Sequence, residues 1–289
     1  MIDLLFTADD RYARHIPVVL YSLFENDPGI RYRVHLITDN LDPSTEKNLQ
    51  LLCKKLGYGF SVYRLEENMF ANAPVNKHYS KAMYYRHLAF QVLPVEIEKI
   101  LYLDPDILII NPLHPLWEID MDDHLFLAAS HTEEQQGLDE LNRVRLGTKS
   151  SYFNTGVIVM DLDACRREVS EEQIFSYIHE NGPFLLLPDQ DVFNALYGSR
   201  TKSVPDEIWN YDARKFTQYL LRSGGEYNEN WVLAHTAVLH FCGKNKPWGK
   251  TRPSRFEMLY LHYAEKLNRQ ALRATPHNPP SAPSGKSAL

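Results

Sequence analysis

Short apolar runs alternate with stretches of helical periodicity along the first 65 residues of the chain. The run from Ile2 to Ala8 is mostly apolar, which is typical of a strand buried on both faces of a parallel sheet. A helical pattern follows from Ala13 to Asn26, and residues 32–36 then alternate apolar and polar, which predicts a strand with one face in solvent. A second helix begins at Asp42-Pro43, and residues 60–65 form a third strand. This order predicts an α/β fold with a largely parallel sheet.

The same alternation continues to about residue 270. Further helices are predicted from Ser80 to Leu93, from Pro188 to Leu196 and from Phe256 to Leu267. Further strands are predicted over residues 99–103, 107–110, 124–130, 156–162 and 238–242. From about Ala274 the chain is rich in Pro, Ser, Ala and Gly, a composition that cannot bury a core. We therefore predict one domain over residues 1–270 and a disordered tail over residues 271–289.

Composition and charge exclude several classes of function. Hydrophobic residues make up 44% and charged residues 24%, which is typical of a globular protein, and the formal net charge is -6. That charge argues against nonspecific nucleic-acid binding, which draws its affinity from Lys and Arg. Cys53, Cys165 and Cys242 form no CxxC pair, which argues against a disulfide framework and favours the cytoplasm. No apolar run approaches the ~20 residues that a transmembrane helix needs.

The strongest chemical signal is Asp104-Pro105-Asp106, which lies between two apolar, strand-like runs. In an extended chain, residues i and i+2 point to the same side, so both carboxylates can meet one cation. Carboxylate oxygens suit Mg²⁺ or Mn²⁺, and an added histidine shifts the preference towards Mn²⁺. The alternative is an ordinary turn, since Asp-Pro-Asp is common in turns. The flanking apolar runs favour the metal site.

The second signal is the segment from His240 to Trp248. His240 ends an apolar strand, where a metal ligand could lie, and Gly243 allows the backbone to approach a ligand closely. Lys246 suits a phosphate oxygen. The alternatives are a core histidine with satisfied hydrogen bonds and a solvated surface lysine. The presence of both residues in one segment favours a joint site.

The third signal lies at the end of the first strand, where Asp9, Asp10 and Tyr12 follow one another. Ligands of open α/β sheets bind outside the carboxyl ends of the strands. This position lacks the GxGxxG loop of a dinucleotide site. A carboxylate that accepts from a ring N–H and a tyrosine that stacks would suit a nucleobase. The alternative is N-capping of the next helix by Asp9 or Asp10.

Taken together, these segments resemble glycosyltransferase family 8, the retaining transferases that include glycogenin and bacterial lipopolysaccharide galactosyl- and glucosyltransferases. The resemblance covers about residues 2–267. It rests on six motifs in the family's order: FTADDRY, SKAMYYRHLAFQVLP, KILYLDPDILI, YFNTGVIVMDL, LPDQDVFNAL and HFCGKNKPW. It implies a GT-A fold, with a Rossmann-like, mostly parallel central sheet and helices on both faces.

Matched by position, the resemblance also implies roles for individual residues. Asp104, Asp106 and His240 would bind Mn²⁺, which also holds the two phosphates of a UDP-sugar donor. The other residues implied at the donor are Asp9 and Tyr12 at the uracil, His78 in the covering segment, Arg86 near the sugar, Pro105 between the two aspartates, Asn154 and Asp189 at the sugar hydroxyls, and Gly243 and Lys246 at the diphosphate. The side-chain amide of Gln190 would lie near the anomeric carbon, so Asp189 and Gln190 are the catalytic candidates.

The expected function is therefore retaining transfer of a hexose, glucose or galactose, from a UDP-sugar to an unidentified glycan or lipid-linked acceptor, with Mn²⁺ or else Mg²⁺. The enzyme would work in the cytoplasm, with peripheral contact at the inner face of the membrane if the acceptor is lipid-linked. Two departures from the family concern Arg11, where a small residue is frequent, and residues 129–132, which lack the acidic residue of several relatives. The second departure leaves the acceptor open.

Two other functions remain open at this point. Paired carboxylates also serve metal-dependent phosphohydrolases and nucleotidyltransferases that act on nucleotide sugars. That function would need a second acidic metal set, which Asp189 and Asp191 could supply. The other alternative is a non-catalytic protein that only binds nucleotide sugars.

Overall fold

The computed structural model of the chain describes residues 1–66, 82–130, 142–249 and 255–274. His78, residues 131 and 132 of the acceptor segment, and residues 275–289 of the predicted tail lie outside the described residues. The predicted start of the tail at residue 271 is wrong, because the last helix (Glu257–Ala274) continues through residues 271–274.

A seven-stranded sheet forms the centre of the fold, in the order β3-β2-β1-β4-β7-β6-β8. The strand β7 runs antiparallel to both of its neighbours, and the other pairs are parallel. A smaller sheet has the order β5-β10-β9. The strands are β1 (Ile2–Thr7), β2 (Tyr32–Thr38), β3 (Gly59–Arg64), β4 (Lys99–Leu103), β5 (Ile107–Ile109), β6 (Phe126–Ser130), β7 (Phe153–Asp161), β8 (Thr201–Pro205), β9 (Tyr211–Asp212) and β10 (Val238–His240). The predicted, mostly parallel α/β architecture is confirmed.

Helices cover both faces of the central sheet. They are α1 (Asp10–Ala13), α2 (Ile16–Asn26), α3 (Pro43–Leu56), α4 (Ala82–Tyr85), α5 (Ala89–Val92), α6 (His114–Trp117), α7 (142–146), α8 (Leu162–Glu168), α9 (Glu171–Asn181), α10 (Pro188–Tyr197), α11 (Asp206–Trp209), α12 (Phe216–Arg222), α13 (Glu229–His235) and α14 (Glu257–Ala274). Short 3₁₀ turns lie at Arg86–Leu88, Gly182–Phe184, Gly198–Arg200 and Ala213–Lys215. Within the described ranges, every helix is too short or too polar to traverse a lipid bilayer.

The core follows from the alternation of side chains along the central strands. Leu4 and Phe6 of β1 pack with α2 and α3 on one face of the sheet. The intervening Leu5 belongs to a second cluster, with α4, α5 and α8 to α10 on the other face. The continuous apolar run of β1 is therefore buried on both sides, as the sequence predicts.

Local sequence signals set the ends of α3. The Asp42 side chain accepts from Ser44 N at 2.8 Å, and Pro43 occupies the first turn. Gly57 ends the helix with φ of 75°, a conformation that favours glycine. The predicted start and end of this helix are both confirmed.

The predicted wet face of β2 is wrong at His35 and holds at Arg31, which is exposed, and at Arg33, whose side chain is 37% exposed. The strand lies between β1 and β3, and His35 is buried. His35 Nε2 lies 2.8 Å from Asp3 Oδ1, and Arg33 forms an ion pair with the same carboxylate. Arg33 and His35 therefore share one partner, the Asp3 carboxylate on the neighbouring strand β1, and this contact allows His35 to be buried.

Candidate active site

A cleft of about 320 Å³ opens beyond the carboxyl ends of β1 and β4, where the small sheet approaches the large one. In open α/β sheets this edge is where ligands bind. The segment Asp104–Asp106 connects β4 of the large sheet to β5 of the small one, and both aspartates line the cleft.

Strand pairing brings Asp106 and His240 together from distant parts of the chain. The strands β5 and β10 are antiparallel, with His240 opposite Ile107. Phe241 N donates to the Asp106 carbonyl at 2.9 Å, which extends the pairing past His240. His240 Nε2 then lies 3.3 Å from Asp106 Oδ1 and 3.6 Å from Asp104 Oδ2.

These three side chains fit a divalent cation. One ligand atom from each of Asp104, Asp106 and His240 lies within 4.8 Å of the other two. Two carboxylate oxygens and one imidazole nitrogen are ligands that Mn²⁺ accepts. Asp104-Pro105-Asp106 also contains a turn at residues 105 and 106, which confirms the turn alternative for this triplet; the metal site stays a prediction that the geometry supports. The turn presents both carboxylates to the same point.

Charge fixes the ionisation of two members of the triad Asp104, Asp106 and His240, namely Asp106 and His240. Burial would raise the pKa of Asp106, but Lys246 and His240 outweigh it and hold that pKa well below its usual range. Burial would lower the pKa of His240, but Cys242 and Asp106 hold it well above its usual range. A metal ion binds the neutral imidazole, so binding would release that proton.

Lys246 faces the cleft and is not a surface charge. Its side chain is only 13% exposed, and its Nζ forms an ion pair with Asp106 and donates to the Phe241 carbonyl at 3.0 Å. Burial acts to lower the pKa of Lys246, but Asp106 outweighs it, so the pKa is raised and the ammonium form is kept. The alternative of a solvated lysine is therefore wrong.

Arg86 bridges two carboxylates of the cleft. Its NH2 group lies 3.0 Å from Asp104 Oδ1 and 3.5 Å from Asp189 Oδ2, and the guanidinium lies 4.3 Å from the centre of the Tyr102 ring. The guanidinium is buried, so its position is fixed. Burial raises the pKa of Asp189 above its ordinary value, although Arg86 acts in the opposite direction.

The first turn of α10 and the start of β7 supply the remaining donor-site candidates. Asp189 Oδ2 accepts from Thr155 Oγ1 at 2.9 Å, and Gln190 lines the cleft beside it. Asn154 also lines the cleft. The structure thus places Asp189, Gln190 and Asn154 in one cleft with the triad.

The end of β1 confirms the capping alternative considered for it. Asp9 Oδ1 accepts from Tyr12 N at 3.0 Å, so Asp9 caps α1. Tyr12 lines the cleft and packs edge-on against Trp248, with ring centres 6.1 Å apart. Gly243 lines the cleft as well. The contact of Asp9 with uracil stays a prediction.

The family model described as "Glycosyl transferase family 8" matches residues 3–252. The chain belongs to glycosyl transferase family 8. The match covers the triad, Lys246 and Arg86, and it confirms the predicted family and the prediction of a glycosyltransferase enzyme.

Curated relatives match most of the chain, and one of the following two is named a glucosyltransferase. General stress protein A of Bacillus subtilis (strain 168) is 29% identical over 264 residues, which cover 89% of this chain and 90% of that protein. Lipopolysaccharide 1,2-glucosyltransferase of Escherichia coli is 24% identical over 248 residues, which cover 83% of this chain and 71% of the relative.

Solved structures confirm the fold. The galactosyltransferase LgtC, crystallised with donor and acceptor sugar analogues, matches with a TM-score of 0.79 at 22% identity, over 96% of this chain and 98% of that one. The glycosyltransferase GlyE of Streptococcus pneumoniae TIGR4 matches with a TM-score of 0.67 at 17% identity, over 96% of this chain and 65% of that one. The predicted fold class, a GT-A fold with a Rossmann-like, mostly parallel sheet, is confirmed.

Asp189 and Asp191 do not form the second metal site that a phosphohydrolase would need. Asp191 is fully buried and accepts from Arg145, from Tyr152 Oη at 2.8 Å and from the backbone of residues 186 and 187. Its oxygens are therefore occupied by the protein. Among the residues that the structure describes, the one group of side chains able to hold a metal is Asp104, Asp106 and His240.

Sequence reasoning missed two residues of the site, Gly156 and Asn210. A Cβ at position 156 would lie 2.2 Å from His240 Cε1 and 3.0 Å from Asp104 Oδ2, so only glycine fits there. Asp104 N also donates to the Gly156 carbonyl at 2.8 Å. The motif FNTG contains Gly156, but nothing in the sequence shows that β7 passes against the metal ligands. Asn210 lines the cleft and lies 2.8 Å from His240 Nδ1.

We expect Gly156→Ala to displace the His240 ring and to weaken Mn²⁺ binding by at least about tenfold, because a metal ligand must keep its geometry. Titration of the protein with Mn²⁺, followed by the electron paramagnetic resonance signal of the free ion, measures this. Gly59→Ala is the matched control, since its Cβ would contact only flexible Arg33 side-chain atoms at 3.1 Å and 3.5 Å and the Arg33 Cα at 3.7 Å. Unchanged Mn²⁺ affinity in Gly156→Ala would contradict the steric argument.

Proposed function

We propose that this chain transfers a hexose, glucose or galactose, from a UDP-sugar to a glycan or lipid-linked acceptor with retention of anomeric configuration, and that it requires Mn²⁺, or Mg²⁺ in its place. The observation that carries the proposal is the convergence of Asp104, Asp106 and His240 beside Lys246 in one cleft. The names of the bacterial relatives, lipopolysaccharide glucosyl- and galactosyltransferases, support a hexose donor and a cell-surface glycan as acceptor. A cytoplasmic location is part of the proposal.

The diphosphate of the donor would lie between the triad and Lys246. A divalent cation held by Asp104, Asp106 and His240 would supply Lewis-acid neutralisation of the phosphate charges. Lys246 adds a fixed positive charge next to Asp106. This charge would stabilise the negative charge that develops on the phosphate oxygen as UDP departs. Gly243, with φ of 83°, lets the backbone of the same segment approach the phosphates.

The donor sugar would lie between α10 and the start of β7. Asn154 Oδ1 already accepts from Gly156 N and from Asn210 Nδ2, each at 2.9 Å. Its Nδ2 donates one proton to Cys242 Sγ at 4.0 Å, which leaves the second proton to donate to a sugar hydroxyl in the cleft. Asp189, held by Thr155 and Arg86, can accept from a second hydroxyl.

Retention is compatible with double displacement and with substitution on the front face of the sugar, and the residues beside the donor site favour the second. The bond between the anomeric carbon and the phosphate oxygen breaks while the acceptor oxygen bonds to the same face, and the acceptor proton passes to the departing phosphate oxygen. Gln190 is a neutral amide and a poor nucleophile. Asp189 is already engaged by Thr155 and Arg86, which suits binding better than attack.

Phosphohydrolysis by two metals is less well supported, because Asp191 is occupied by Arg145, Tyr152 and backbone N–H groups. The products separate the possibilities. Transfer to an acceptor or to water releases UDP, phosphohydrolysis releases UMP, and a binding protein releases neither.

We expect Asp106→Asn to slow UDP release from UDP-glucose or UDP-galactose by on the order of 100-fold or more, because the metal loses a charged ligand. Chromatography of the nucleotide products, with and without Mn²⁺, measures this. The exposed Asp123→Asn is the matched control and should keep the wild-type rate. Full activity of Asp106→Asn, or of the wild type in excess chelator, would refute the metal role.

Lys246→Ala should lower kcat by roughly 100-fold, because the developing charge loses a preorganised partner. Lys244→Ala, an exposed lysine of the same segment, should leave kcat unchanged. Steady-state kinetics and a thermal unfolding scan measure both variants. An unchanged kcat in Lys246→Ala would show that the lysine takes no part in leaving-group departure.

Front-face substitution forms no covalent sugar on the protein. When turnover with UDP-galactose is stopped by acid, intact-protein mass spectrometry should find only unmodified chain. A hexose attached to Asp189 during normal turnover would establish double displacement instead.

A further inference from the structure

Asn210 stands directly behind the metal ligand His240. It follows α11 and precedes β9, and only 4% of its surface is exposed. The strands β9 and β10 are parallel, with Tyr211 opposite Leu239 and Asp212 opposite His240. This register places the Asn210 side chain against the imidazole ring.

A chain of hydrogen bonds runs from the backbone of β7 to the imidazole. Gly156 N donates to Asn154 Oδ1 at 2.9 Å, and Asn210 Nδ2 donates to the same oxygen at 2.9 Å. Asn210 Oδ1 lies 2.8 Å from His240 Nδ1. Three side chains and one backbone group are thus joined in series.

The Gly156 backbone N–H, at the start of this series of hydrogen bonds, determines the orientation of each side chain that follows it in the series. Because Gly156 N can only donate, the Asn154 atom that faces it must be the oxygen. Asn210 must then offer its amide nitrogen to that oxygen, which turns its own oxygen to His240. An oxygen accepts only from a protonated Nδ1, so Nε2 faces the two aspartates and carries the lone pair of the neutral imidazole.

We propose that Asn210 is a positioning residue that couples the metal ligand His240 to the donor-sugar residue Asn154. Its oxygen fixes the imidazole tautomer that ligates metal. Its amide nitrogen fixes Asn154 so that Asn154 Nδ2 faces the cleft, where it donates one proton to Cys242 Sγ at 4.0 Å and keeps the other for a ligand. The inference rests on the proposed function and adds a residue to it. A metal-binding histidine generally needs such a partner on its other ring nitrogen.

The segment that carries Asn210 is itself held rigidly. Asn210 N donates to the Asp206 carbonyl at 3.0 Å, and Asp206 Oδ2 accepts from Tyr219 Oη at 2.6 Å. Thr236 Oγ1 donates to the Glu207 carbonyl at 2.7 Å, and Ala237 N donates to the Ile208 carbonyl at 2.8 Å. These contacts tie the turn to β10, so Asn210 and His240 keep their relative position.

Two substitutions at position 210 separate the contact with His240 from the contact with Asn154. Asn210→Ala removes both contacts and should weaken the binding of Mn²⁺ alone by 10–100-fold, the usual effect of losing such a partner. Asn210→Asp keeps an oxygen for His240 Nδ1, so it should bind Mn²⁺ about as well as the wild type. It cannot donate to Asn154, so with saturating Mn²⁺ its affinity for UDP-glucose and UDP-galactose should fall roughly tenfold. Its affinity for UDP, which has no sugar, should not change.

Electron paramagnetic resonance of free Mn²⁺ gives the metal affinity, and calorimetry with UDP and the two UDP-sugars gives the nucleotide affinities. Asn26→Asp is the matched control, since Asn26 Nδ2 donates to Ser22 O, Ile109 O and Tyr263 Oη outside the cleft. This variant should lower the melting temperature and leave Mn²⁺ affinity unchanged.

The outcomes distinguish the inference from the proposed function. If the wild type binds Mn²⁺ and Asn210→Ala binds it equally well, Asn210 does not position His240. If Asn210→Asp loses UDP affinity as strongly as UDP-sugar affinity, or Asn26→Asp loses Mn²⁺ affinity, the effect is general destabilisation and the inference is overturned. A wild type that binds no Mn²⁺ would overturn the proposed metal site itself.

Discussion

Asp104, Asp106 and Asp189 lie close together in one cleft, and the cost of bringing these three carboxylates together is the constraint on which the site depends. Asp106 and Asp189 are buried and Asp104 is partly buried. Uncompensated carboxylates at this depth would take up protons. Arg86 lies between Asp104 and Asp189, and Lys246 and His240 contact Asp106. The cations of the protein thus keep Asp106 ionised and ready for a metal.

The junction between the two sheets holds these charged side chains at fixed positions. The link from β4 to β5 carries both aspartates, and β10 delivers His240 to them by antiparallel pairing with β5. The strand β7 passes next to His240, and only a glycine at position 156 of that strand leaves room for the imidazole. Because each ligand comes from a paired strand or its end, the site is set by rigid elements.

The same arrangement links the two halves of the proposed chemistry. The residues that would bind the metal and diphosphate lie on the β4–β5 link, at the end of β10 and after it. Those that would bind the sugar lie on β7 and α10. Arg86 and Asn210 connect the two sets through contacts of 2.8 to 3.5 Å. A displacement of the metal-binding residues would therefore displace the sugar-binding residues, and the reverse.

The sequence by itself determined the local structure and the family. Apolar periodicity located the main strands and helices, capping residues set the ends of α3, and six ordered motifs indicated family 8. Asp104 and Asp106 could be paired from spacing alone, since residues two apart meet on one side of the chain.

Only the tertiary structure decided which partners each side chain has. His35 alternated like a solvent-facing residue, yet it is buried against Asp3; Asp191 seemed able to bind a metal, yet Arg145 and Tyr152 occupy it. Asn210 and Gly156 showed no signal, because their roles arise from strands that pair across long sequence separations. Periodicity reports which face of an element is apolar, whereas register and packing determine what lies opposite that face.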